Sequence, residues 1–238
     1  MPIRHGVVVA AGRGSRLGDL TRGTPKPLLE VGGTPLLLRI LDGMSAAGIT
    51  DIAVITGYRA ELVEHAVRQS GLPMRLEFRR QTELDGTARA VALARDVLGE
   101  EPFCFSWGDI LVDRQNYLAV VNAASAADGA LAVNEVDDPW AGAAVDVDPV
   151  GFVASIVEKP PRGTSTTRFN NAGLGVLPAT VWRYVDELQP SPRGEYELPR
   201  AVAALVDAGA HLRAVPVAGA WWDIGTPDDL AAARAHFS

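Results

Sequence analysis

The sequence is poor in residues that cross-link small secreted domains: it has one cysteine, Cys104, in 238 residues. A lone thiol excludes an internal disulfide and a cysteine zinc cluster. Its place in the apolar run Pro102-Phe103-Cys104-Phe105 reads as a buried structural thiol. Histidine is scarce as well, with four copies. No apolar run approaches the roughly 18 residues that a membrane-spanning helix requires, and the N-terminal run Val7 to Ala11 is too short for a signal peptide. Basic residues are in deficit, 22 Lys and Arg against 29 Asp and Glu. That balance argues against a nucleic-acid or anionic-membrane surface. A cytoplasmic location is expected from these absences. Small phosphorylated ligands stay open, because local cations matter more than the total.

What the chain has in abundance is short apolar runs alternating with amphipathic helical segments, the α/β pattern. Its length suits one large α/β domain or two small ones and is enough to bury a core without staples. Thr34 can cap a helix with Pro35 at its first position, Leu37, Ile40, Leu41 and Met44 on one face, and Gly48 at its end. Strands are expected at Ile52 to Thr56, Arg75 to Arg79 and Phe103 to Trp107, with helices near 60 to 70 and from Thr87 to Leu98. From Gly129 the pattern changes. Ala143 to Val147 and Phe152 to Glu158 read as a β-hairpin about Asp148-Pro149-Val150-Gly151. Helices near 178 to 188 and 197 to 208 flank a strand at Leu212 to Val217. Thr226-Pro227-Asp228-Asp229 then caps a last helix. The polar segment Pro161 to Arg168 reads as a mobile loop.

One stretch carries chemistry. Val7-Val8-Val9-Ala10-Ala11-Gly12-Arg13-Gly14-Ser15-Arg16-Leu17 is a buried strand opening into a glycine loop whose bare amides can approach an anion. Arg16 and Lys26, the latter in Pro25-Lys26-Pro27-Leu28, bring two cations to it. A dinucleotide fingerprint from Gly12 would need glycine where Leu17 stands, and a Walker A loop would need lysine where Thr24 follows Gly23. A third kind of phosphate loop is required.

This loop resembles the signature of the sugar-nucleotide pyrophosphorylases, the sugar-1-phosphate nucleotidyltransferases, and the resemblance covers essentially the whole chain. It implies an α/β, Rossmann-like three-layer sandwich with a mostly parallel mixed central sheet and a β-hairpin substrate-side subdomain. Residues 1–238 would form a single nucleotidyltransferase domain, with a nucleotide-binding part over about 1–128 and a sugar-phosphate-binding part over about 129–238. The nucleotide would be bound by Ala10, Ala11, Gly12, Gly14, Ser15, Arg16, Lys26, Gln81, Gly86, Thr87 and Gly108. Arg16 and Lys26 would be catalytic, Arg16 on the leaving pyrophosphate and Lys26 near the α-phosphate. Gly142, Glu158, Lys159, Asn171 and Glu195 would hold the sugar phosphate, with Lys159 on its phosphate. Asp109, just past a strand's C-terminal end, and Asp223 would hold magnesium, for which manganese can substitute. The partners implied are a nucleoside triphosphate and a sugar 1-phosphate, in a homo-oligomer. A single-function enzyme is expected, since no β-helical extension follows Ser238.

Departures from the family pattern leave the substrates open. Ala11 and Arg13 differ from many relatives in the first loop, Arg89 leaves the base unspecified, and Pro199-Arg200 replaces the usual Thr-Asp ending of the sugar segment. The chemistry itself needs no catalytic histidine. A phosphomonoester has its second pKa near 6, so the attacking oxygen is already anionic, and the obstacle is repulsion between anions. Three alternatives stand beside this reading: cytidylyl transfer to phosphocholine or a similar phosphorylated alcohol, metal-dependent glycosyl transfer through Asp146-Val147-Asp148, and a non-catalytic nucleotide-sugar sensor.

Overall fold

The computed structural model describes residues 2–237. Its first half alternates β1 (His5–Ala10), α1 (Leu36–Ala46), β2 (Asp51–Thr56), α2 (Ala60–Gln69), β3 (Arg75–Arg80), α3 (Thr87–Ala92) and β4 (Phe103–Trp107). β1 runs between β2 and β4, and β2 pairs with β3, all in parallel. The unbroken run Val7-Val8-Val9 suits a strand covered on both faces, since a one-sided strand would alternate apolar and polar.

The second half continues with β5 (Ile110–Val112), α4 (Gln115–Ala124), β6 (Gly129–Glu135), β7 (Ala143–Val147), β8 (Val153–Glu158), β9 (Phe169–Leu177), α5 (Val181–Glu187), α6 (Leu198–Asp207), β10 (Leu212–Pro216), β11 (Trp221–Asp223) and α7 (Pro227–His236). It joins the first half antiparallel, through β9 against β4. On its other edge β9 pairs with β6, and β6 pairs in parallel with β10. The β7–β8 hairpin hangs on the first half of β9, where Asn170 faces Ala144, so the sheet forks at that strand.

Helices cover both faces. Val8, Val54, Cys104 and Val176 meet Leu37, Ile40, Met44, Val63 and Val120 from α1, α2 and α4. Val7, Ile55, Phe105 and Leu131 meet Ala88, Trp182, Leu198 and Val202 from α3, α5 and α6. The result is the expected three-layer α/β sandwich. Cys104 is buried, and burial alone pushes its thiol up to about 12. A small satellite core of Leu17, Leu29, Val31, Leu111, Ile224 and Leu230 lies under α7 and ties the end of the glycine loop to β5 and β11. Among the described residues no helix is long and apolar enough to cross a membrane.

Two expected boundaries move. Thr34 does not cap α1, which starts at Leu36 after Pro35. Thr34–Pro35 instead pairs antiparallel with Glu30–Val31, across Gly32-Gly33 at φ 55° and 70°. The helix expected from Thr87 to Leu98 breaks after Ala92 and resumes at Arg95–Leu98. The last cap is as read: Thr226 accepts from the Asp229 amide, and the Asp229 carboxylate accepts from the Thr226 amide.

Candidate active site

β1 ends at Ala10, and the chain turns off the sheet under Gly57, where a Cβ would stand 2.4 Å from the Ala11 carbonyl oxygen. Gly14 takes φ 66° and opens a tight turn over Ser15–Leu17. A side chain at Gly14 would meet Lys26 Cβ at 3.0 Å, so the missing Cβ leaves room for the lysine stem. The Thr21 hydroxyl lies 3.1 Å from the Gly18 carbonyl and 3.3 Å from that of Gly14, which closes the loop on itself. Lys26 is 7% exposed, and its Nζ donates to Asp109 Oδ2 at 2.8 Å. The exposed Arg16 lays its guanidinium over the Gly225 backbone, where a Cβ would stand 3.2 Å from it.

The two aspartates meet through strand pairing. Gly108 donates its amide to the Val9 carbonyl at 2.8 Å, fixing Asp109 beside the end of β1. β5 pairs antiparallel with β11 so that Ile110 faces Asp223, and the Ile224 amide donates to the Asp109 carbonyl at 2.9 Å. Asp223 keeps an open face to solvent, yet its carboxyl is held above the ordinary carboxylate range. Partial burial is the first cause and the Asp109 charge the second, with Lys26 and Arg16 pulling the other way. A carboxylate whose ionisation is opposed by burial and by a neighbouring carboxylate's charge forms with that neighbour a donor set that a hard divalent cation would relieve. Among the described residues no group of three or more His, Cys, Asp or Glu side chains gathers as a metal site.

Gln81, expected at the base, is buried, with Nε2 3.3 Å from the Gly86 carbonyl and 3.4 Å from Asp85 Oδ1. Gly86 has φ 125°, and a Cβ there would lie 2.2 Å from the Tyr196 carbonyl oxygen. The Thr87 hydroxyl accepts from the Leu198 amide at 2.9 Å, which couples this loop to the start of α6. Among the residues expected to hold the sugar phosphate, Gly142 leaves space that the Asn170 side-chain oxygen fills. Asn171 Oδ1 accepts from the Gly173 amide at 3.0 Å. Burial holds Glu158 above the ordinary carboxylate range, against Lys159 and Arg193, with Glu195 adding to the rise. Arg193 bonds Glu158 at 3.4 Å and also Glu197.

Two adjoining cavities collect most of the residues expected from the sequence. One, of about 250 Å³, is lined by Ala10, Gly14, Ser15, Arg16, Lys26 and Gly108. The other, of about 460 Å³, is lined by Ala11, Gln81, Gly86, Thr87, Gly142, Glu158, Asn171, Glu195 and Asp223. Gly12 and Asp109 border both. Lys159 lines neither: its backbone turns to φ 44°, its amide donates to the Gly142 carbonyl at 2.7 Å, and its side chain is exposed. Trp107, Leu84, Asp138 and Trp221 line the larger cleft without having been singled out in the sequence. For the two tryptophans and Leu84 the signal was weak, since an aromatic or aliphatic residue near a strand end reads equally well as core, and Asp138 stood in no motif. Asp146 and Asp148 line neither cavity. Asp146 accepts from Ser155 and Thr166, and Asp148 accepts the Val150 and Phe152 amides in the hairpin turn. Asp148 thus closes the hairpin turn, and Asp146 ties β7 to Ser155 of β8 and to Thr166.

The profile of the nucleotidyl transferase family matches residues 5–238. The bifunctional protein GlmU of Methanococcus aeolicus is 32% identical, over 97% of this chain and 53% of its own length. The UTP–glucose-1-phosphate uridylyltransferase AglF of Haloferax volcanii is 31% identical, over 94% of this chain and 92% of its own. A crystal structure of a UDP-glucose pyrophosphorylase complexed with UDP-glucose shares the fold at a TM-score of 0.89 and 18% identity, covering 99% of this chain and 98% of that one. The chain belongs to the nucleotidyl transferase family, in its sugar-1-phosphate branch. Members of this family act on nucleoside triphosphates and sugar phosphates and use divalent metal ions. The chain spans about half to two thirds of the length of the first relatives it matches.

Proposed function

We propose that this protein transfers a nucleoside monophosphate from a nucleoside triphosphate to a sugar 1-phosphate, giving a nucleoside diphosphate sugar and pyrophosphate. The observation that carries the reading is the pair of adjoining cavities with Asp109 on their common border. One side presents Arg16 and Lys26 to a triphosphate tail, while the other is large enough for a base, a ribose and a sugar. The nucleotide part is assigned to about 1–128 and the sugar-phosphate part to about 129–238.

An oxygen of the sugar phosphate attacks the α-phosphorus, a new P–O bond forms, and the bond to the pyrophosphate oxygen breaks. The attacking oxygen is anionic near neutral pH and needs no general base. Lys26 puts one buried positive charge beside the α-phosphate region, and Arg16 offsets the charge that develops on pyrophosphate. Gln81 with the Gly86 loop reads the base edge, and Glu158, Asn171 and Glu195 accept sugar hydroxyls. Asp109 and Asp223 would hold magnesium, or manganese in its place, because both ions take carboxylate oxygens. When bound, the ion neutralises phosphate charge and helps to align the reacting oxygens. The cytoplasm is the proposed location, since the triphosphate supply lies there.

The test is a matrix of UTP, TTP, GTP, ATP and CTP against sugar 1-phosphates and phosphocholine, read by pyrophosphate release. Pyrophosphate with a sugar 1-phosphate supports the reading. Release with phosphocholine alone, or nucleoside diphosphate formed from a nucleotide sugar, overturns it.

A further inference from the structure

Arg59 stands outside both cavities, yet its backbone and side chain are unusual together. It takes φ 51° and ψ 43°, the left-handed region that non-glycine residues enter at a steric cost. Its guanidinium donates from Nη1 to the Gly23 carbonyl at 3.0 Å and from Nη2 to the Arg22 carbonyl at 2.9 Å. Nε reaches Tyr58 Oη at 3.2 Å. One planar fork thus spans two consecutive carbonyls, which suits arginine and no other side chain. The held residues lie just before Pro25-Lys26, on the outer limb of the loop that carries Arg16. The inner limb is held by the same segment: the Tyr58 amide donates to the Ala11 carbonyl at 3.3 Å, and Gly57 packs against Ala11.

From this we infer that Arg59 is a positioning residue, a latch that holds the glycine loop in the form that accepts the triphosphate tail. The inference rests on the transferase reading given above. The strained backbone at Arg59 turns α2 so that the guanidinium faces the loop, and the helix starts from its own carbonyl, which accepts from the Leu62 amide at 3.0 Å. Without the latch the outer limb loses both guanidinium bonds to the Arg22 and Gly23 carbonyls and spends part of its time in forms that do not bind. Apparent affinity for a ligand falls in proportion to the competent fraction.

Arg59→Ala and Arg59→Gly separate the side chain from the backbone, because both lose the fork while only glycine relaxes the left-handed turn. Both should raise KM for the best triphosphate of the five-nucleotide panel by about tenfold, the scale of two modest hydrogen bonds, with kcat and the sugar-phosphate KM little changed. Arg59→Lys, which can serve one carbonyl at a time, should fall between them and the wild type. Arg59→Gly should melt higher than Arg59→Ala. Trypsin cleavage of the ligand-free protein after the exposed Arg22, followed by mass spectrometry, should speed up in the Ala and Gly variants alike. That readout is independent of catalysis: if the wild type turns over no triphosphate, the transferase reading fails while the cleavage rates still decide the latch. Wild-type KM and cleavage in Arg59→Gly, beside loss in Arg59→Ala, would show that the backbone alone matters and overturn the latch. A lowered kcat and melting temperature with unchanged triphosphate KM would overturn it too.

Discussion

Replacing Lys26 by Met removes one charge and keeps an unbranched stem. In the folded chain that stem fills the space that Gly14 leaves, and Nζ sits 2.8 Å from Asp109 Oδ2. The Asp109 side chain retains 39% of its surface in water, so its carboxylate rehydrates once the ammonium is gone. The stability cost is then about 1 kcal/mol, the upper range for a partly exposed ion pair. For a chain of this size that lowers Tm by roughly 2–4 °C.

Turnover and metal binding should move in opposite directions. Loss of one pre-positioned cation facing the reacting phosphates should cut kcat by roughly 100- to 1000-fold. Lys26 also competes with any divalent cation for Asp109 Oδ2, and each ~1.4 kcal/mol of competition removed tightens binding by about tenfold. Lys26→Met should therefore bind Mn²⁺ more tightly than the wild type in a calorimetric titration, while releasing pyrophosphate far more slowly at saturating substrates. A folded variant that keeps near wild-type turnover, or binds Mn²⁺ more weakly, refutes the reasoning.

The fold was legible where one signal dominated. Val7-Val8-Val9 ending at glycine gave β1 and its loop, and Thr226 with Asp229 gave the last cap. It was less legible where two local signals competed. Thr34-Pro35 has the composition of a helix start, but Gly32-Gly33 before it supplies the positive-φ turn of a short hairpin, and the hairpin took Thr34. The break after α3 left no trace in the pattern, because Ala90, Val91, Ala94 and Leu98 stay in one core while the hydrogen bonding tightens to the third residue back, as from Ala94 to Val91. Lys26, Asp109 and Asp223 could each be picked out by motif, but not the contact of Lys26 with Asp109, which depends on where two strand ends lie. Lys159 shows the converse. Its motif offers it to a phosphate, while its left-handed backbone, invisible in sequence, accompanies an exposed side chain that lines neither cavity but bears on Glu158.

Three further predictions bear on the site. Gly86→Ala would push a methyl into the Tyr196 backbone at a φ of 125°, so it should cost about 2–4 kcal/mol and lower Tm by roughly 5–15 °C; an unchanged melting curve would contradict the close approach. Glu158 has its folded-state pKa raised chiefly by burial, so its contribution favours folding below the unfolded value of about 4.3 and is lost as pH rises through the folded pKa. Across that window the Tm of the wild type should fall relative to that of Glu158→Gln, and parallel curves would remove the assignment. The last prediction concerns the aspartate pair. Asp109→Asn and Asp223→Asn keep size and lose charge, and each should weaken Mn²⁺ binding and cut turnover, with activity abolished by chelator and partly restored by Mn²⁺. Because β5 pairs with β11 next to Asp109 and the Asp109 charge bears on Asp223, both are proposed to act on one cation, and an ion lost to the first substitution cannot be lost again to the second. The double variant should therefore be little worse than the poorer single one. Rate losses that multiply would place the two carboxylates in separate roles, and full activity in chelator would remove the cation from the reaction.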